Sequence, residues 1–202
     1  MKQTYLRTSE FESNSNISFP VGTAVAVKKY SQKLDFDQIF SRYKKRGVDI
    51  VRLIEALIAY RLTENGSICR ASEWTNRPDV LEQFSLSAFE ERTLFRALEV
   101  IGGNYEEIIL LLQKSIFAQY EFPHTDVNMD WTSFVLWGTK AELGKYGYSR
   151  GHRPDKKQVT VGISQLSAPM NIPIGLTVQA GNVNDQTHFK STFLQVCSML
   201  KE

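Results

Sequence analysis

The apolar pattern of this chain changes period once, near Pro123, and that switch limits the folds open to it. Before it, from Asp35 to about Tyr120, the pattern is helical. Asp35-Phe36-Asp37-Gln38 has the form of a capping box, with Asp35 placed to accept a backbone N–H and Gln38 placed to reach back. The segment Asp49 to Leu62 is apolar almost all round, leaving Asp49, Arg52 and Glu55 as one narrow wet stripe on a buried helix. Asn65-Gly66 supplies a left-handed ending, a shorter helix spans about Ser67 to Trp74, and Pro78 marks a break. Ser87-Ala88-Phe89-Glu90 reads as a second capping box, opening a helix that runs to Ile101. Gly102-Gly103 stops it, and Asn104 starts another that ends near Tyr120. These spacings predict a compact helical bundle.

After Pro123 the period becomes that of strands. Val127 to Trp137, Gln158 to Gln165 and Ile172 to Gln179 are rich in β-branched and aromatic residues. Pro169 and Asn171 mark a tight connection between the second and third, which predicts an antiparallel pair. Gly181 to Asp185 is a turn, and from Gln186 a helix resumes with Phe189, Phe193, Val196 and Leu200 on one face. The fold class is therefore α+β. Three strands and one helix leave a sheet edge unfinished and one face with little cover, so the sheet is either small or cut short.

Composition narrows the functional classes. With 42% apolar and 23% charged residues the chain can bury a core and is not a disordered tail. No apolar run approaches the roughly 20 residues that cross a bilayer, so no membrane partner is expected. Two cysteines, Cys69 and Cys197, are too few for a disulfide framework, and a reducing, cytoplasmic setting is expected. Net charge is only +2, so any case for nucleic acid rests on where the charges lie.

Asp130 stands out, because aspartate is disfavoured in mid-strand. By alternation Asn128, Asp130 and Thr132 share one face, and Val127, Met129 and Trp131 share the other. If its face is covered, the carboxylate needs a cation, a metal or hydrogen bonds. Otherwise it is an edge-strand aspartate bonded to Thr132 or to a backbone amide. Asp126 lies four residues away, about 13 Å along a strand, too far to share one Mg²⁺ with it. The loop from Gly138 to Lys157 carries Lys140, Lys145, Arg150, Arg153, Lys156 and Lys157 against Glu142 and Asp155, with Tyr146, Tyr148 and His152 interleaved. Cations among aromatics suit phosphate-backbone contact, and they also suit a solvated surface loop. The histidines have no metal-ligand spacing, and there is no phosphate-cradling loop, dinucleotide fingerprint or nucleophile elbow.

Several pieces recur in a telling order: Asp130-Trp131-Thr132-Ser133, Tyr146-Gly147-Tyr148-Ser149-Arg150, the run His152 to Val159, Ile172-Pro173-Ile174, and Gly181-Asn182-Val183-Asn184-Asp185. Together they resemble the opening of the catalytic domain of DDE transposases from prokaryotic insertion sequences, over about Asp126 to Phe193. The helical half resembles the N-terminal region of that group through its long apolar helix, turn and small helix ending in Trp74.

The resemblance implies a ribonuclease-H-like fold in which three carboxylates hold two Mg²⁺ ions. Those ions activate water or a DNA 3′-hydroxyl for in-line attack on a phosphodiester. Asp130 matches the first carboxylate, which makes it the implied catalytic and metal-binding residue. The second aspartate of the family follows the helix that begins near Thr187, and its glutamate lies on a later helix. Neither region is in these 202 residues. Asp185 matches a structural turn. On this reading residues 1–34 are an N-terminal extension, 35–122 a helical DNA-binding or oligomerisation region, and 123–202 an incomplete ribonuclease-H-like domain. The chain is then expected to be the N-terminal portion of a transposase, inactive alone. Its expected partners are transposon-end DNA, held by Lys145, Arg150, Arg153, Lys156 and Lys157, and a second copy or a full-length transposase. Two alternatives stay open: a non-catalytic DNA-binding or regulatory module derived from a transposase, and an unrelated α+β protein with a structural Asp130.

Overall fold

The structure is a computed structural model that describes residues 21–43, 47, 49–121, 126–138, 140–148, 151–168 and 171–199. The chain divides into two compact units, one of helices up to Val100 and one from Ile101 onward that also takes in the Lys33–Asp35 turn. Among the described residues no helix is long and apolar enough to cross a membrane.

The helical unit is built around α3 (Ile50–Thr63), against which α2 (Phe36–Phe40), α4 (Ile68–Thr75) and α5 (Pro78–Phe84) pack. Asp49 caps α3, accepting from the Val51 and Arg52 amides at 3.0 and 3.4 Å. Asn65, with φ 49°, turns the chain left-handed beyond its end, as the sequence predicts. Ser67 caps α4 by accepting from the Arg70 amide. Pro78 does more than break a helix. It opens α5 from the first helical position, where its missing N–H costs nothing.

The core joins Ala24 and Val27 of α1 (Gly22–Lys33) to Ala56, Ala59, Val80 and Phe84. Helix α1 lies in the stretch that the sequence suggests is an extension. Its weak amphipathic pattern hid it, and three of its residues, Ala24, Val27 and Ser31, are buried. This changes the expected wet stripe on α3. Glu55 is fully buried, and Ser31 donates its hydroxyl to the Glu55 carboxylate. Arg52 reaches Glu55 at 2.7 Å and Asp37 at 3.1 Å, so the stripe is an ionic network lying partly under α1.

Both predicted capping boxes are corrected. Asp35 has φ 54°, the backbone of a helix-ending turn and not the extended backbone of an N-cap. The segment around Phe89 is not helical, and α6 begins only at Glu91 and runs to Gly103. Asn76 outcompetes the local cap: its side chain accepts from the Phe89 amide at 3.0 Å and donates to the Phe89 carbonyl at 3.1 Å.

The second unit is a meander. Strands β1 (Val127–Leu136), β2 (Lys157–Leu166) and β3 (Ile172–Ala180) pair antiparallel in that order, with a register shift at Ser164/Gln165. The three strands fall where their sequence pattern puts them. Pro169 of the expected tight connection lies outside the described residues. Helix α7 (Tyr105–Gln119), grouped with the helical region by sequence, packs against β3 and belongs to the sheet unit.

Helix α8 (Asp185–Met199) packs on β2 and β3 with a face that keeps Val196 of the predicted set but not Phe189 or Phe193, and Leu200 lies outside the described residues. His188, Thr192 and Val196 are buried, while Phe189 and Phe193 are 44% and 46% exposed and stack on each other at 5.6 Å. The polar residues win the buried side because they meet polar partners there: the Thr177 hydroxyl lies 2.7 Å from His188 Nε2 and 3.0 Å from Thr192 Oγ1.

Candidate functional site

Asp130 sits in the middle of β1, an edge strand, opposite Ile163 of β2. Its face carries the exposed residues Asn128, Thr132 and Phe134, and Ile163 beside it is 41% exposed. The carboxylate is exposed and accepts from the Trp131 amide at 2.8 Å. Burial therefore places no demand for a counter-charge on it. The opposite face of β1 is different: Trp131 lies 6.1 Å from His188 and 6.0 Å from Phe189, under α8.

The donor set around Asp130 can be compared with a two-ion site. Among the described residues no three His, Cys, Asp or Glu side chains come together to hold a metal. Asp126, just before β1, stays about 13 Å away along the extended backbone. One exposed carboxylate does not make a two-Mg²⁺ centre.

The cationic segment after β1 is partly ordered by the sheet. Lys145 exchanges backbone hydrogen bonds with Gln158 at 3.1 and 2.9 Å, a single antiparallel bridge on the flank of β2. Its side chain is exposed. Arg153 and Lys156 both lie over the ring of Trp137, at 5.2 and 5.0 Å from its centroid, and Trp137 is itself 76% exposed. Lys157 opens β2 opposite Leu136. Arg150 lies outside the described residues.

Arg153 also forms a two-pronged pair with Asp155, both contacts at 2.9 Å. Its guanidinium hydrogen bonds hold the Asp155 carboxyl down at about 2, so Asp155 stays ionised at any ordinary pH. Arg153 is thereby half-spent before any phosphate arrives. Lys145, Lys156 and Lys157 are other cations of this hairpin end.

A cleft of about 490 Å³ opens on the α8 side of the sheet, beyond the first turn of α8. Its existence follows from the topology. The chain leaves β3 at Ala180, turns through Gly181 and Asn182, and starts α8 only at Asp185, so the cross-strand pair Ser133–Thr160 is left without a helix above it. Those two hydroxyls form its floor. Tyr148 forms one wall and the turn at Gly181 and Asn182 the other.

Gln158 holds the two walls together. It is 1% exposed, and its Nε2 donates to the Tyr148 carbonyl at 2.6 Å and the Gly181 carbonyl at 3.1 Å. Backbone meets backbone at this joint: a Cβ on Gly147 would stand 2.0 Å from the Gly181 oxygen, and one on Gly181 would stand 2.0 Å from the Gln158 oxygen.

Reading the sequence for charge did not single out Gln158 or Ser133. A signal was present in β2, where Gln158, Thr160, Gly162 and Ser164 alternate with Val159, Val161 and Ile163. The polar row is the buried one. A strand that buries its polar side has something for it to do or to bind.

No protein-family model, no curated protein and no solved structure matches this chain.

Proposed function

We propose that this chain is a transposase polypeptide that acts in DNA transposition, with Asp130 as the first of the carboxylates that hold catalytic Mg²⁺ in a ribonuclease-H-like domain. One observation carries the reading: Asp130 is presented in mid-strand on a sheet face that also exposes Ile163 and Phe134. Exposed Ile163 and Phe134 near this carboxylate and the polar Asn128 and Thr132 suit a face that further chain or a partner covers, and that cover is where the remaining acids would come from. The order of three antiparallel strands followed by a helix agrees with the opening of such a domain.

The described residues supply one ligand and not a metal centre, so in this reading they hold DNA, and cleavage needs acids beyond those described. The DNA-holding surface is the hairpin end with Lys145, Lys156 and Lys157, assisted by Arg153 and Trp137, and a chain doing this work resides in the cytoplasm beside the chromosome. The second reading is a non-catalytic DNA-binding or regulatory module of the same descent. The exposed position of Asp130 and its bond to the Trp131 amide favour it, since an edge-strand aspartate of that kind needs no metal.

The experiment is DNA binding by fluorescence anisotropy at low salt, together with a nicking assay on supercoiled DNA in Mg²⁺. Salt-sensitive binding that weakens when Lys156 and Lys157 are both changed to Ala is the expected result, because each phosphate contact releases counterions. The loss should be alike for all DNA sequences. Absence of binding would overturn both readings. Robust nicking that Asp130→Ala abolishes would show that the chain is catalytically complete.

A further inference from the structure

We infer that the cleft over Ser133 and Thr160 is a nucleoside-sized site that receives one unpaired base of the DNA held at the hairpin end. The inference rests on the DNA-binding reading above and adds a site to it. The cleft's volume, about 490 Å³, falls within the roughly 300–1,000 Å³ of small-molecule sites.

Its lining selects the ligand. Asp185 is the one formally charged side chain among the described residues around it, so these side chains offer a phosphate no cation and present neutral polar groups instead. Tyr148, 86% exposed, offers an aromatic face on which a base can stack. Ser133 Oγ is buried without a hydrogen-bond partner, Thr160 is only 7% exposed, and the Asn182 amide stands at the rim. Hydroxyls and amides can both donate and accept, as the edge of a base requires.

The backbone that carries Tyr148 is held in advance by the Gln158 amide, so stacking has only the tyrosine ring to order. Thr160 and Lys157 are three residues apart on β2, about 10 Å. By alternation Lys157 lies on the opposite face of β2 from Thr160, so a DNA strand would have to cross the hairpin end of the sheet, with its phosphates at Lys156 and Lys157, to seat a base in the cleft.

The test compares two single-stranded oligonucleotides of equal length, one with all its bases and one fully abasic, titrated against the purified chain at low salt. The intact strand should bind about tenfold more tightly, the order of one base stack. Tyr148→Ala and Asn182→Ala, both at exposed positions where folding is safe, should bring the intact strand down to the abasic level. The Lys156→Ala/Lys157→Ala protein should lose affinity for both strands alike and keep their ratio. Equal binding of the two strands by the unaltered chain, or a preference that survives both Tyr148→Ala and Asn182→Ala, overturns the cleft assignment and leaves the DNA-binding reading standing. Failure to bind either strand overturns both.

Discussion

The ring of His188 and the hydroxyl of Thr177 meet at 2.7 Å between α8 and β3, and both residues are buried. Burial pushes the His188 ring below its ordinary 6.5, against a smaller upward pull from Asp185. The folded protein thus prefers this ring neutral. In the unfolded chain the ring takes up a proton near 6.5, while the folded one resists, so the unfolded state binds more protons just below that pH. Stability from this group is complete above about 6.5 and declines as pH falls from there toward the lowered folded value. Urea midpoints measured between pH 7.5 and 5 should show that decline, and His188→Gln should remove this part of it. Identical slopes in the two proteins would exclude His188 as the cause.

The network under α1 predicts an asymmetry between the two carboxylates that Arg52 touches. Arg52→Ala leaves the buried Glu55 carboxylate without its cation and should cost about 2–4 kcal/mol, somewhat less than a wholly enclosed pair because solvent reaches Arg52. Asp37 is 65% exposed at its side chain, and Asp37→Ala should cost less than about 1 kcal/mol. Denaturant unfolding of the two variants measures both, and equal losses would contradict the network.

Glycines divide by what surrounds them. Gly147→Ala or Gly181→Ala drives a methyl group into backbone and should destabilise by at least about 2 kcal/mol. Gly102→Ala, near the end of α6 with open space around it, should stabilise by up to about 1 kcal/mol. Thermal melts would show opposite signs for these substitutions.

Asp130→Asn separates function from stability. The carboxylate is exposed, and the asparagine side-chain oxygen can still accept from the Trp131 amide. The unfolding midpoint should move by no more than about 0.5 kcal/mol equivalent. A clear loss would mean that Asp130 holds the sheet together, and would count against its role as a metal ligand.

Local chemistry was legible in the sequence wherever a short stretch of chain decides the outcome by itself. Helices start beside Asp49 and Ser67, where the sequence starts them, because those side chains reach amides two or three residues on, and Asn65 turns left-handed because it tolerates that backbone; the capping roles themselves emerge only in the structure. The three strands follow from β-branched runs of the right length between turn residues. What the sequence could not determine is which of two competing partners a residue meets. Asn76 captures Phe89 from 13 residues away, which cancels a capping box that is sound on local grounds. Ser31 of α1 covers Glu55 of α3 and converts a solvent stripe into a buried network. On α8, apolarity alone puts Phe189 and Phe193 inside, yet Thr177 offers hydrogen bonds that only His188 and Thr192 can use, and the helix rolls to satisfy them. The cleft is tertiary in the same sense. It exists because α8 begins one turn late relative to a pair of strands, and because Gln158 ties together two walls 33 residues apart, Tyr148 and Gly181. No period or propensity encodes such a distance, since buried polar groups take whichever partners the folded chain brings within reach.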